Sequence, residues 1–325
     1  MSLETLLAVL SDGEFHSGDE LGSILGVSRT AIWKQLKKVE ELGLTLDSVK
    51  GKGYCLVGGV ELLDKKRISQ SLSGRTQQLL ADLELFSVIE STNTYAMEKA
   101  AAGVSGYVCS AEQQTAGKGR RGRPWVSPYA GNIYLSTVWE FSAGAVSLEG
   151  LSLAVGVAVV DALSECGING AQLKWPNDVL YDGKKLAGIL LEMSGDPSGP
   201  CQVVVGIGLN VAMPAAISID QPWVDTHSIN AAVGRNQLLA SILNQLLPLL
   251  SEFEQNSFSY YRERWQQLDG FAGSEVAILL GEQVVVGREA GVDKTGAVLL
   301  ETEAGLRSFN GGEISLRERG GLNDT

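Results

Sequence analysis

Histidine is nearly missing from this chain: His16 and His227 are the only two among 325 residues. A Ser-His-Asp triad, a Cys-His dyad or a histidine-rich metal site is thinly supplied by two imidazoles. The four cysteines, Cys55, Cys109, Cys166 and Cys201, stand apart with no CxxC spacing. That pattern argues against a metal centre and a disulfide framework and for reduced thiols. Long apolar runs are lacking too. The longest, Leu151 to Val160, is about half the ~20 residues that a membrane-spanning helix needs. The opening Met1-Ser2-Leu3-Glu4 has no basic segment of the kind that begins a signal peptide. A cytoplasmic location with no membrane partner is therefore expected, and any catalysis should rest on positioning and electrostatics rather than on a histidine base.

What is present is an ordinary globular composition, 44% hydrophobic and 20% charged, on a chain long enough for two or three domains. Glycine is plentiful, 39 residues, so tight turns should be common. Acidic residues outnumber basic ones, 38 to 26, for a net charge of −12. Against that background, Ala116-Gly117-Lys118-Gly119-Arg120-Arg121-Gly122-Arg123-Pro124-Trp125 packs four cations and three glycines into ten residues. Glycine lets backbone approach a ligand, and Arg and Lys donate to phosphate and carboxylate oxygens. The stretch reads as a loop for an anionic small molecule.

Three segments follow from the pattern. In the first, Ser17-Gly18-Asp19-Glu20 is a capping-box start. Gly26-Val27 makes a turn, Ser28 caps a second helix, and Ile32, Leu36 and Val39 share one face. Leu44–Leu46 and Tyr54–Leu56 then flank the basic turn Lys50-Gly51-Lys52-Gly53 as two short strands. This is a winged helix-turn-helix, with Ser28, Arg29, Thr30, Lys34, Lys50 and Lys52 as candidate DNA-binding residues. Residues 1–60 carry six basic and eight acidic side chains, yet four cations and no acid lie between Val27 and Lys38. The weak net charge suggests that two copies are needed to hold DNA. Residues from about Val60 to Gln78 read as a connector. Strands are predicted over Leu85–Ile89, Tyr107–Ala111, Ile133–Trp139, Leu186–Glu192 and Val203–Asn210, with long helices over Leu148–Cys166 and Asn236–Phe253, giving a mixed α/β domain. Tyr260, Tyr261 and Trp265 fall at helical spacing and read as core. From Gly270, Val276–Leu280, Val284–Val286 and Ala297–Leu300 are short strands, with Gly281-Glu282 and Lys294-Thr295-Gly296 as turns. The expected divisions are 1–62, 63–269 and 270–325.

The motifs Ser91-Thr92-Asn93, Gln114, Gly117–Arg123, Lys174-Trp175-Pro176-Asn177-Asp178, Lys185–Leu190 and Gly311–Arg317, in that order, resemble those of the bifunctional biotin protein ligases that double as biotin-operon repressors. The resemblance covers nearly the whole chain. It implies an α/β multidomain protein: a winged helix, a central biotin/lipoate-ligase-like catalytic domain and a small SH3-like β-barrel. It also implies activation of biotin by ATP with Mg²⁺, and transfer of biotin from biotinyl-5′-AMP to a lysine of the biotin carboxyl carrier protein of acetyl-CoA carboxylase. Arg120 and Lys185 match the family's catalytic cations. Ser91, Thr92, Asn93, Gln114, Lys118 and Gly119 match the biotin- and adenylate-binding set, and the first four suit a neutral ureido ring. Lys118 stands where the family usually shows arginine, so charge is kept and the bidentate fork is lost. Lys174, Asn177, Asp178, Asn210 and Arg317 are further candidates toward the nucleotide. No metal-ligating side chain is assigned. Ordering of the loop by the adenylate would favour a homodimer on a palindromic operator. A lipoate–protein ligase shares the fold and the adenylation, but the Arg120-Arg121-Gly122 loop and the winged helix are not its hallmarks. A non-enzymatic ligand-sensing regulator is disfavoured by Arg120 and Lys185.

Overall fold

The computed structural model describes residues 3–196, 199–280, 283–311 and 314–318, without the side chains of 145, 146, 314, 315, 317 and 318. Capping fixes the first domain. Ser17 and Glu20 form the reciprocal capping box of α2 (Gly18–Leu25), Gly26 ends that helix at φ +65°, and Ser28 caps α3 (Arg29–Glu41). A preceding helix, α1 (Leu3–Leu10), had no cap signal in the sequence, and it completes a core of Leu6, Leu7, Leu10, Leu21, Leu25, Ile32, Leu36 and Val39. The wing is the hairpin β1 (Leu46–Val49) with β2 (Gly53–Leu56), paired Leu46 to Leu56 and Val49 to Gly53. Its first strand starts later than predicted, because Gly43 (φ +82°), Leu44 and Thr45 are spent turning the chain back from α3. His16 and Tyr54 exchange two 2.9 Å backbone hydrogen bonds. A side chain at Gly53, φ +112°, would overlap the His16 carbonyl, so this glycine is what lets the wing lie against the α1–α2 turn.

The predicted connector is helical. Asp64 accepts from the amides of Lys66 and Arg67 to start α4 (Lys65–Gln70), and Ser73 accepts from that of Thr76 to start α5 (Gly74–Leu79). Each is six residues long with one buried residue, too short for a periodicity to register.

The central sheet contains β3 (Asp82–Ile89), β4 (Tyr107–Gln114), β5 (Asn132–Phe141), β6 (Gln172–Lys174), β7 (Asp178–Tyr181), β8 (Lys184–Gly195) and β9 (Cys201–Asn210), with α6 (Thr92–Ala101) and α7 (Leu151–Glu165) between them. Its order is β3-β4-β5-β9-β8-β7-β6, parallel only between β3 and β4. All five predicted strands are present and longer; β6 and β7, of three and four residues, were not anticipated. After a short α8 (Thr226–Ile229) comes α9 (Arg235–Leu268), which packs with α7 over one sheet face while α6 packs on the other. The helix is broken at Ser257 (φ +53°) and runs past the predicted end. The break changes which faces are buried: Trp265 is core, Tyr261 is half-buried, and Tyr260, predicted as core, is 70% exposed.

The last unit is an antiparallel sheet of β10 (Glu275–Leu280), β11 (Gln283–Val292), β12 (Val298–Thr302), β13 (Gly305–Phe309) and β14 (Ile314–Glu318), in the order β13-β12-β11-β10-β14. The predicted strands fall on β10 to β12, except that Ala297 precedes the start of β12. The order is a meander with β14 returning to β10, in keeping with the expected small SH3-like unit, and the long β11 carries a register shift between Glu289 and Val292. The turn read at Gly281-Glu282 lies outside the described residues.

Two buried polar clusters join the units. Arg235 is 3% exposed: its guanidinium pairs with Glu112 at 2.6 Å and donates to the carbonyls of Asn132 and Glu61, while Glu112 also accepts from the Leu63 amide at 2.6 Å. Asn236 adds bonds to Glu61, Leu62 and Asp64. At the other joint, Asp269 Oδ1 accepts from the Phe271 amide and Glu289 Oε1 from the Gly291 amide, leaving Asp269 Oδ2 and Glu289 Oε2 buried without a donor. Burial, with the Asp269 charge adding to it, pushes the Glu289 carboxyl up to about 8.

Two consequences are measurable. Arg235→Ala should lower stability by ~3–5 kcal/mol, since it strands a buried carboxylate; a denaturant midpoint that barely moves would contradict the assigned role. Glu289 has a folded pKa above its ordinary 4.5, so its stability contribution is complete below that value and is lost as pH rises through about 8. The melting temperature should therefore fall between pH 6 and 9, and Glu289→Gln, which supplies a permanent donor, should flatten that slope.

Candidate functional site

On the sheet face that carries α6, the middle of the sheet is left without bulky side chains. Gly206 and Gly208 of β9 and Gly188 of β8 lie there, and the strands' alternation sends Val205, Ile207 and Leu209 to the opposite, buried side. Side chains built on Gly188 or Gly208 would run into the indole of Trp125, and one on Gly206 into the amide of Asn93. Glycine at these positions is therefore what admits Trp125 and Asn93 onto the sheet.

At one end of this floor the groups are neutral and closely hydrogen-bonded. Ser91 caps α6 through the Thr94 amide, and Thr92 donates to Gln114 Oε1 from its amide (2.9 Å) and its hydroxyl (3.1 Å). Ser136 Oγ lies 2.8 Å from Thr92 Oγ1 and 2.6 Å from Asn93 Oδ1, and Asn93 Nδ2 donates to Glu192 at 2.7 Å. Gln114 Nε2 donates to Ser127 Oγ, which in turn donates to the Trp125 carbonyl. All four residues predicted for a neutral polar ligand thus converge. Ser127, Ser136 and Glu192 join them; no sequence spacing marks these three, because they come from other strands and from the loop's far end.

The other end is cationic. Residues 117–125 close on themselves: the Gly119 amide donates to the Arg123 carbonyl (2.7 Å) and the Trp125 amide to the Gly117 carbonyl (2.8 Å). Between them a turn of 3₁₀ helix spans Arg120–Gly122, with Arg121 at φ +60°. Arg120 is half-buried and donates to Asn177 Oδ1 at 3.0 Å. Burial pulls its pKa down while nearby Asp178 favours its charge. Asn177 is held in turn by the backbone of Ile189, whose carbonyl accepts from the Asn177 side-chain amide and whose amide donates to the Asn177 carbonyl. Lys185 Nζ sits 2.8 Å from Asp178 and 5.4 Å from the centre of a Trp125 ring. Trp125 therefore links both ends, and its buried Nε1 has no hydrogen-bond partner.

Other candidates are placed differently. Lys118 is exposed on the loop, bridged through its backbone to Pro124. Lys174 lies over the ring of Phe271, at the joint with the last sheet. Asn210 spends its amide on the carbonyls of Lys185 and Val224, fixing the 211–225 segment over Lys185. The Arg317 side chain lies outside the described residues; its backbone is paired opposite Ala277. In the winged helix, Arg29, Thr30 and Lys34 are exposed on α3, Ser28 is engaged as its cap, and Lys50 and Lys52 are exposed at the wing tip.

Known proteins carry the same layout. Residues 85–210 match the biotin/lipoate A/B protein ligase family, residues 2–55 an HTH domain, and residues 271–317 the biotin protein ligase C-terminal domain. The chain is 39% identical over 314 residues to the bifunctional ligase/repressor BirA of Escherichia coli, covering 96% of each. It is 35% identical over 233 residues to the biotin–[acetyl-CoA-carboxylase] ligase of Paracoccus denitrificans, covering 69% of this chain and 96% of that one. The biotin protein ligase of Aquifex aeolicus, solved with biotin and ATP, superposes with a TM-score of 0.65 at 30% identity, covering 74% of this chain and all of that one. Likeness to the Escherichia coli protein runs from the winged helix to the last sheet, and the chain belongs to the BirA family of biotin protein ligases.

Proposed function

We propose that this protein is an ATP-dependent biotin–protein ligase that also represses transcription in response to biotin. The observation that carries the reading is the two-ended site: a neutral hydrogen-bonding end at Ser91, Thr92, Asn93 and Gln114, and a cationic end at Arg120 and Lys185, joined by Trp125 over the glycine floor. The neutral end suits a ureido ring. The cationic end suits the place where a carboxylate meets a phosphate.

In the first step a carboxylate oxygen of biotin attacks the α-phosphorus of ATP. The bond to pyrophosphate breaks, giving biotinyl-5′-AMP. Two anions must approach, and Arg120 and Lys185 offset that repulsion and the charge gathering on the phosphorus. In the second, a lysine amine of the carrier protein attacks the acyl carbon; an amide forms, a proton leaves, and AMP departs. Positioning supplies most of the rate, in keeping with the scarcity of histidine. Among the described residues no group of three or more His, Cys, Asp or Glu side chains is placed to hold a metal, and Asp178 is engaged with Lys185. Mg²⁺ fits best as a companion of the nucleotide's own phosphates. Lys118 would act through its backbone and charge, Gly119 by close approach, and Lys174, Asn177, Asp178, Asn210 and Arg317 would serve in the outer support of the nucleotide.

The second activity rests on the winged helix, with Ser28, Arg29, Thr30, Lys34, Lys50 and Lys52 facing operator DNA. Ligand-dependent homodimerisation would present two such helices to a palindrome. The buried Tyr129 and Ala130, a few residues beyond Trp125, belong to the winged-helix core and give the ligand loop a route to that domain. We place the domain limits at 1–62, 63–269 and 270–325, with the biotin carboxyl carrier protein as protein substrate. No helix among the described residues is long and apolar enough to cross a membrane, and a cytoplasmic location is proposed.

The purified protein should catalyse biotin-dependent ATP–pyrophosphate exchange and label a carrier domain with biotin; absence of both would sink the enzyme assignment, and preference for lipoate would redirect it. Lys185→Ala should slow adenylation at least ~100-fold, and Arg120→Gly should release biotinyl-5′-AMP faster. Gly208→Ala should displace Trp125 and weaken biotin binding roughly tenfold or more, on the ~1–3 kcal/mol scale of overpacking; unchanged affinity by calorimetry would refute the floor.

A further inference from the structure

On α3 the exposed residues Thr30, Trp33, Lys34 and Lys37 recur at i, i+3, i+4 and i+7, one continuous stripe on the face opposite Ile32, Leu36 and Val39. Trp33 is the anomaly in that stripe. It is 51% exposed, the only aromatic of the helix, and the domain's core is complete without it. The Lys37 ammonium sits 4.0 Å from the indole centroid, covering one ring face and leaving the rest of the ring outward. Around it Arg29, Lys34, Lys37 and Lys38 form a field without an acid between Val27 and Lys38. A protein surface is a poor match for an exposed indole covered by one ammonium on a cation-rich helix, whereas a DNA major groove offers phosphates at its rims and apolar methyl groups on its floor.

We propose that Trp33 reads sequence by apolar contact with a thymine C5-methyl group in the major groove, while Lys34 and its basic neighbours bind phosphates without regard to sequence. The proposal rests on the DNA-binding reading above. Lysine contacts neutralise any duplex and position the helix; an uncharged ring adds discrimination only where a methyl group is present. Burying one methyl group against the indole corresponds to about fourfold in affinity.

The test starts from a random-sequence duplex library, enriched on the full-length protein in the presence of biotin and ATP. The enriched duplex should contain thymine at a position facing the first half of α3. Replacing that thymine by deoxyuridine removes only the methyl group and should weaken wild-type binding about fourfold. Trp33→Ala should lose about as much on the thymine duplex and then be indifferent to deoxyuridine; Trp33→Phe should keep part of the preference. Affinity for non-specific duplex, and the slope of log affinity against log salt, should be unchanged in Trp33→Ala, whereas Lys34→Ala should lower the slope by roughly one. Circular dichroism controls for folding of the exposed-site variants. If Trp33→Ala enriches the same motif and keeps the deoxyuridine penalty, the proposal fails and DNA binding stands. If the wild type enriches no duplex, the DNA-binding reading itself fails, and this one with it.

Discussion

A buried guanidinium sets the terms for the centre of this molecule. Removing a charge from water costs several kcal/mol unless the protein satisfies it nearly completely, and Arg235 is satisfied by partners from three places. Glu112 of β4 supplies the counter-charge, Asn132 of β5 and Glu61 of the linker supply carbonyls, and the Arg235 amide itself is held by the Glu61 side chain. No one of these segments can move away without exposing an unpaired charge. The linker behind the winged helix, the two strands beside the candidate site and the start of α9 are therefore fixed in one arrangement.

The same constraint reaches the site because Glu112 and Gln114 share a strand, two residues apart. The strand whose Glu112 meets Arg235 therefore also carries Gln114, which accepts from Thr92 and donates to Ser127. At the other end, the loop's cations are ordered by partners that are themselves immobilised: Arg120 by Asn177, and Asn177 by the backbone of β8. Pairing Lys185 with Asp178 keeps its ammonium beside Trp125 at little cost in repulsion from Arg120. A carboxylate and a phosphate arriving together would find donors already aimed, which is the condition for electrostatic stabilisation without reorganisation.

Much of this was legible in the sequence, and the reason differs from element to element. Ser17, Ser28 and Ser91 announced their helices because capping is a local interaction between a side chain and amides two or three residues away. The five long strands announced themselves by apolar runs. The Ala116–Trp125 loop stood out through charge density against an acidic chain. Hidden were the elements whose stability is not local: α4 and α5, each with one buried residue, and β6, β7, β13 and β14, which exist by pairing with neighbours already in place. Tyr260 was misread since helical spacing takes no account of a break at Ser257. Trp125 was seen as part of the loop but not as its anchor, because the slot that receives it is made by glycines on two other strands.

Ala130 stands where the end of the ligand loop meets the winged helix. It is a non-glycine residue at φ +52°, a conformation that costs on the order of 1–3 kcal/mol and persists only where its surroundings impose it. Its amide donates to the Glu112 carbonyl, and with Tyr129 it packs into the core of the winged helix. Glu112 thus grips Arg235 by its side chain and the end of the ligand loop by its backbone. Residues 117–127 are thus followed directly by a strained joint whose far side is the DNA-binding domain. A ligand can bias repression only as far as its affinity differs between two arrangements of that joint. A strained joint is suited to such a bias, since relief or loss of a few kcal/mol spans the range from mostly one state to mostly the other.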